Sequence, residues 1–211
     1  MSSSTGTTEG PAPDPAEAPL DGRRGMIVTA AAHEIARHGI AGLRVEKVAA
    51  AAGVSVSLLY YHFGDRAGLV RAAFQHASER APSTALRLAT DEGTGYAALE
   101  RALLGELSED PEVREAAVVW GEVCARAAFD PEYGPVVASV TEGWASTVAE
   151  AIARGVRDGS IRDDADPSAV AQVLITLVDG LCVRWLAGAI PLEHARALLR
   201  ATVRDKLTPR A

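Results

Sequence analysis

Cysteine is nearly missing from this 211-residue chain: only Cys124 and Cys182 occur. Two thiols make no disulfide framework, and their spacing fits no zinc pattern. Aromatic residues are also scarce, at 5%, and segments of sustained β-branched alternation are lacking, which excludes most sheet architectures. No charged segment followed by a short apolar one opens the chain, and no unbroken run of about 18 apolar residues appears. A cytoplasmic protein without membrane association is expected. Nor is there a glycine-rich phosphate loop, a nucleophile–base–acid arrangement or a metal-ligand spacing. No catalytic residue, cofactor or metal is therefore assigned, and the chain reads as a non-enzyme.

What is present is alanine, in runs such as Ala49–Ala52, within an apolar content of 48%. Alanine is the strongest helix former, so the fold class reads as all-α. The formal net charge is −7, which at first argues against nucleic acid. Its distribution says otherwise. Residues 21–80 carry eight bases against five acids and four of the five histidines, whereas residues 81–211 carry thirteen bases against twenty acids. A small, mildly basic head on an acidic body is an electrostatic footprint of DNA binding.

Residues 1–20 hold four prolines and almost nothing apolar, and read as a disordered tail. A first helix is predicted from an Asp21 cap to His38, ended by Gly39. Short helices follow at Val45–Ala52 and about Ser55–His62, then a connecting helix from Arg66 to about Arg80, stopping before Pro82. Beyond it, helices are predicted at about 83–90, 95–107, 111–129, 132–157, 167–187 and 191–206. Asp110-Pro111 and Asp166-Pro167 place an acid at the cap and proline at the first helical position. Gly159 followed by Ile161 reads as a C-terminal cap with its hydrophobic contact.

The informative stretch is residues 45–63, VEKVAAAAGVSVSLLYYHF. Val45, Val48 and Ala49 bury one helix, and Gly53 supplies the left-handed backbone of a tight turn. Leu59 and Phe63 anchor the next helix, leaving Ser55, Val56, Ser57, Leu58, Tyr60, Tyr61 and His62 around its remaining surface. Short side chains at the start of such a helix let it approach base edges, and tyrosine and serine hydroxyls suit phosphate oxygens. Taken singly, His62 reads as a surface histidine, and for Tyr61, less so for Tyr60, a core aromatic is an equal alternative. In register with Gly53, Ser55 and Arg66 they read as a helix-turn-helix.

The chain resembles the TetR family of transcriptional regulators at this point. The resemblance rests on Ala52-Gly53-Val54-Ser55, Leu59-Tyr60-Tyr61-His62-Phe63, Arg66 with Leu69, and the spacing of Ile27-Val28, Ala30-Ala31, Ile35-Ala36 and Gly39. It implies an N-terminal three-helix helix-turn-helix domain (21–66, with a connecting helix 66–80) and a C-terminal ligand-binding and dimerisation bundle (81–211). It implies DNA contacts from Ser55, Val56, Ser57, Tyr60, Tyr61, His62 and Arg66. Arg44 and Val45 replace a threonine-rich helix start, which removes a hydroxyl cap and adds a cation; both are kept as candidate DNA contacts. Leu58 stands where a smaller residue or threonine is usual.

The implied partners are a double-stranded, palindromic DNA operator, a small-molecule effector and a second copy of the chain, joined through helices 167–187 and 191–206. Repression relieved by the effector is the family's usual mode. Trp120, Cys124 and Trp144 are candidate effector contacts, and the polar residues show no evident charge signature, which favours a neutral or hydrophobic ligand. Two rivals stay open: a relative without DNA binding that acts as a ligand- or protein-binding module, and a redox sensor using the two thiols. The acids Asp158, Asp163, Asp164 and Asp166 lack the order of a calcium loop and read as helix caps.

Overall fold

A computed structural model describes residues 20–79 and 93–208. The expected tail and the helix at 83–90 lie outside the described residues. Within them the secondary structure is helical, with no strand. The order is α1 (Leu20–Gly42), α2 (Val45–Ala51), α3 (Val56–Phe63), α4 (Arg66–Glu79), α5 (Gly95–Gly105), α6 (Pro111–Ala127), a 3-10 turn (Pro131–Tyr133), α7 (Gly134–Arg157), α8 (Pro167–Leu186) and α9 (Leu192–Leu207).

Local sequence sets most of these boundaries. Helix α1 begins at Leu20, one residue before the expected cap, and its regular part ends at Gly39, which adopts φ 68° and ψ 170°. Such a backbone suits glycine and breaks the helix there. Ser55 caps α3 by accepting the Leu58 N–H at 3.1 Å. Asp110 and Asp166 cap α6 and α8 ahead of their prolines. Arg44 opens α2 with no side-chain cap bond, as expected from the missing hydroxyl. At the end of α7 the Ile161 N–H closes on the Gly155 carbonyl at 2.9 Å, with Ile161 buried. The acids named together in the sequence have separate tasks: Asp158 accepts the Gly95 N–H that starts α5, Asp164 pairs with Arg162, and Asp166 is a cap.

Two hydrophobic cores result. The first joins Ile27 and Ile35 of α1, Val48 of α2, Leu59 of α3, and Leu69 and Phe74 of α4. Val119 and Val123 of α6 complete it, so one face of α6 belongs to the N-terminal head. The second core joins Leu99 and Leu103 of α5, Val148 and Ile152 of α7, Leu174 and Val178 of α8, and Leu199 and Val203 of α9. Helix α8 is long and apolar enough, by length and composition, to cross a membrane, and 33% of that window is buried. Its inner face lies in the second core, while Val173 and Val183 stay exposed, as does Leu198 of α9.

Candidate nucleic-acid interface and effector cavity

The head turns on Gly53, whose φ of 65° lets the chain reverse between α2 and α3. Leu59 is fully buried, so the opposite side of α3 faces outward. Ser57 is exposed, Tyr60 is 40% exposed and Tyr61 is 80% exposed. Rings this open are not core aromatics. Ser55 is exposed although its hydroxyl oxygen accepts the cap bond; the hydroxyl proton is still available to donate. Arg44 and, one turn on, Lys47 place two exposed cations on α2. Lys47 escaped the sequence reading, although its i,i+3 spacing from Arg44 was a usable signal.

Four of the expected contacts are wholly or partly covered. Val45 is only 6% exposed and belongs to the first core, so its side chain packs inward. Val56 is half-buried against the same core. His62 is half-buried, with its Nε2 buried and without a partner, so that nitrogen is not presented outward. Arg66 turns towards its own protein: its guanidinium donates to the Ile40 carbonyl and lies near Tyr133, whose hydroxyl burial and Asp130 hold above its ordinary range against the pull of Arg126, Arg66 and Arg71. Val45 is thus covered outright, and Val56, His62 and Arg66 are half-buried.

Just above the Gly39 break, the Ile40 peptide is held from both sides. Its carbonyl accepts from Arg66 of α4, and its N–H donates to the Glu122 carboxylate of α6 at 2.8 Å. The head is thus tied by hydrogen bonds to the helix that also reaches into the body.

On the other side of α6 lies a cavity of about 400 Å³, walled by α4, the end of α5, α6, α7 and α8. Trp120 and Trp144, both expected contacts, line it. Cys124 does not line it. Burial, reinforced by Asp179, pushes the Cys124 thiol up to about 11. Cys182 lines the cavity instead, and burial with Glu106 and Asp179 drives it to about 12. Thiols held so far from the thiolate are poor nucleophiles, which disfavours the redox-sensor reading. Trp120 stacks on Phe74 of α4, with ring centroids 5.4 Å apart.

The absence of a charge signature in the wall is also corrected. Glu79, Glu106 and Asp179 all line the cavity. Among its described lining residues there is no Lys, Arg or His. Burial lifts the Asp179 carboxyl from 3.8 to about 6, opposed by a hydrogen bond from Trp120.

Residues 27–73 match the family described as bacterial regulatory proteins, tetR family. Residues 96–208, more than half of the chain, match the C-terminal domain of BetI-type transcriptional repressors. The chain belongs to the TetR family. It is therefore a helix-turn-helix transcriptional regulator. A TetR-family structure from Rhodococcus sp. superposes with a TM-score of 0.80 at 38% identity, covering 89% of this chain and 100% of that one. The regulator TtgR of Pseudomonas putida is 25% identical over 77% of this chain and 80% of its own length. The repressor AcnR of Corynebacterium efficiens is 26% identical over 81% and 85%. A regulator from Saccharomonospora viridis, solved in complex with choline, shares the fold with a TM-score of 0.78 at 24% identity, covering 90% of this chain and 99% of its own.

Proposed function

We propose that this TetR-family protein is a cytoplasmic repressor that binds a roughly palindromic operator as a homodimer and leaves it when a small molecule enters the cavity. The supporting observation is that the cavity wall and the reading head share α4 and α6. Gln75, Ser78 and Glu79 of α4 line the cavity, while Arg66 at the other end of that helix holds Ile40. Trp120 reaches the cavity from α6, stacks on Phe74, and lies half a turn from Glu122 on Ile40. A ligand that repositions Trp120 acts on both helices at once.

Dimerisation through α8 and α9 accounts for the apolar side chains left open there, Val173, Val183 and Leu198. Two copies of α3 then enter successive major grooves about 34–36 Å apart. Arg44 and Lys47 supply phosphate contacts, and Ser57, Tyr60 and Tyr61 lie over the groove. The effector must bind the DNA-free arrangement more tightly, because equal affinity shifts no population.

The test is a gel shift with the DNA upstream of the coding region. Specific binding should weaken steeply with salt. Tyr60→Ala should weaken it about tenfold, the loss of about one hydrogen bond to a charged group, with the unfolding temperature unchanged. A wild-type chain that binds no such DNA under low salt refutes the operator reading and favours the ligand-binding module.

A further inference from the structure

Asp179 lies in the middle of α8, among apolar residues, where a carboxylate has no structural task of the kind that Asp110, Asp158 and Asp166 perform as caps. It faces a cavity instead. Glu106 stands in the same wall, at the end of α5. The Cys182 thiol donates to the Glu106 carbonyl at 3.7 Å, and Asp179 precedes Cys182 by less than one turn of α8, so the two acids stand at one end of the cavity. Two indoles, Trp120 and Trp144, stand in the remaining wall with Val136 and Val140.

A buried carboxylate costs free energy unless a cation or several donors meet it. Asp179 has the Trp120 indole and, among the described lining residues, no cationic side chain. Indole rings attract organic cations through the negative face of the π system, most strongly where water is excluded. The wall therefore combines fixed negative charge with the aromatic surface that best tolerates a desolvated cation.

We propose that the effector is an organic cation, a quaternary or protonated amine with an apolar body, whose charge sits against Asp179 and Glu106 and whose body lies between Trp120 and Trp144. This rests on the reading of the cavity as the effector site. The volume of about 400 Å³ sets the size at that of a small drug-like molecule. Charge selects the ligand: a neutral isostere leaves the half-buried Asp179 with the Trp120 indole alone, and an anion meets like charge.

The experiment uses three probes of one shape on the full chain at pH 7.5: (4-hydroxyphenyl)trimethylammonium, its neutral isostere 4-tert-butylphenol, and 4-hydroxybenzenesulfonate. Binding is followed by calorimetry and by quenching of the tryptophan fluorescence. The cation should bind at least tenfold more tightly than the phenol, and the sulfonate should not bind. Asp179→Asn, shown to be folded by its thermal transition, should bring cation and phenol to within about twofold of each other. The cation should also release the operator fragment.

If the phenol binds as well as the cation, or Asp179→Asn keeps the discrimination, the charge assignment is overturned. Release of operator by the phenol in that case leaves the sensor reading intact. No binding by the cation at millimolar concentration overturns the assignment as well. Failure of the regulator reading is separate, because it shows as absent operator binding before any probe is added.

Discussion

The head and the body meet on α6, yet their functional surfaces are built in opposite directions. In the head, one buried residue, Leu59, fixes which way a short helix faces, and the polar side chains Ser57, Tyr60 and Tyr61 point away from the protein. In the body, polar side chains from separate helices converge inward on one cavity, and apolar side chains of α8 and α9 point out. The two also treat charge differently. The head shows Arg44 and Lys47 to solvent, where they are well hydrated and free to meet phosphates. The body holds Asp179 half-buried, where its ionisation is costly. An outward surface reads a large, highly charged partner by its edges. An inward one selects a small molecule by shape and charge together.

The contrast is broken most severely at Leu59. Leu59→Ala should cost about 2–5 kcal/mol of head stability and abolish operator binding, while ligand binding in the cavity survives. Thermal unfolding with a gel shift and calorimetry checks this; equal damage to both functions would mean that head and body unfold as one unit.

The next largest effect belongs to Asp179. Its carboxyl rises from 3.8 to about 6 in the folded protein, so across that interval the folded state holds a proton that the unfolded chain has released. Its contribution is favourable at low pH and is lost as pH rises through about 6. Asp179→Asn should therefore stabilise the free protein above pH 7 by up to about 3 kcal/mol, with the gain vanishing below the ordinary aspartate range. Denaturant titration at several pH values reads it. Stabilisation independent of pH would show that volume, not charge, was responsible.

Glu122 sharpens the comparison by testing the link between the two regions. Glu122→Ala leaves the Ile40 N–H without its acceptor and should cost about 1–3 kcal/mol. It should also reduce the effector-induced change in operator affinity more than the affinity itself, whereas Glu122→Gln, which keeps an acceptor, should restore most of the response. An unchanged response in Glu122→Ala would show that α4 alone carries the signal.

Much of the head was legible in the sequence because its determinants are close together along the chain. Gly53, Ser55 and Leu59 settle a turn, a cap and a helix face within seven residues. The caps at Asp110 and Asp166 were equally plain, since an acid before proline acts on the next turn only. What spacing did not reveal in the head was depth. Val45, Val56, His62 and Arg66 are in register with the reading surface, but spacing does not tell whether a neighbouring helix covers a side chain. Arg66 finds the Ile40 carbonyl, 26 residues earlier in the chain, and no local pattern announces that bond.

The cavity shows the same limit more strongly. Trp120 and Trp144 were suspected as large apolar residues on long helices, but Cys124, on the same helix as Trp120, does not line the wall and Cys182 does. Glu79, Glu106 and Asp179 read as unrelated charges because they lie on α4, after α5 and on α8.

The amino-acid sequence by itself determined the helices, their ends and the side of α3 that is turned outward, because each depends on contacts within one or two turns. The tertiary structure alone decided that three distant carboxylates share a cavity with two indoles, and that the Ile40 peptide is clasped between α4 and α6. Those arrangements depend on how several helices pack around a common space, and packing is set by the whole set of side chains at once.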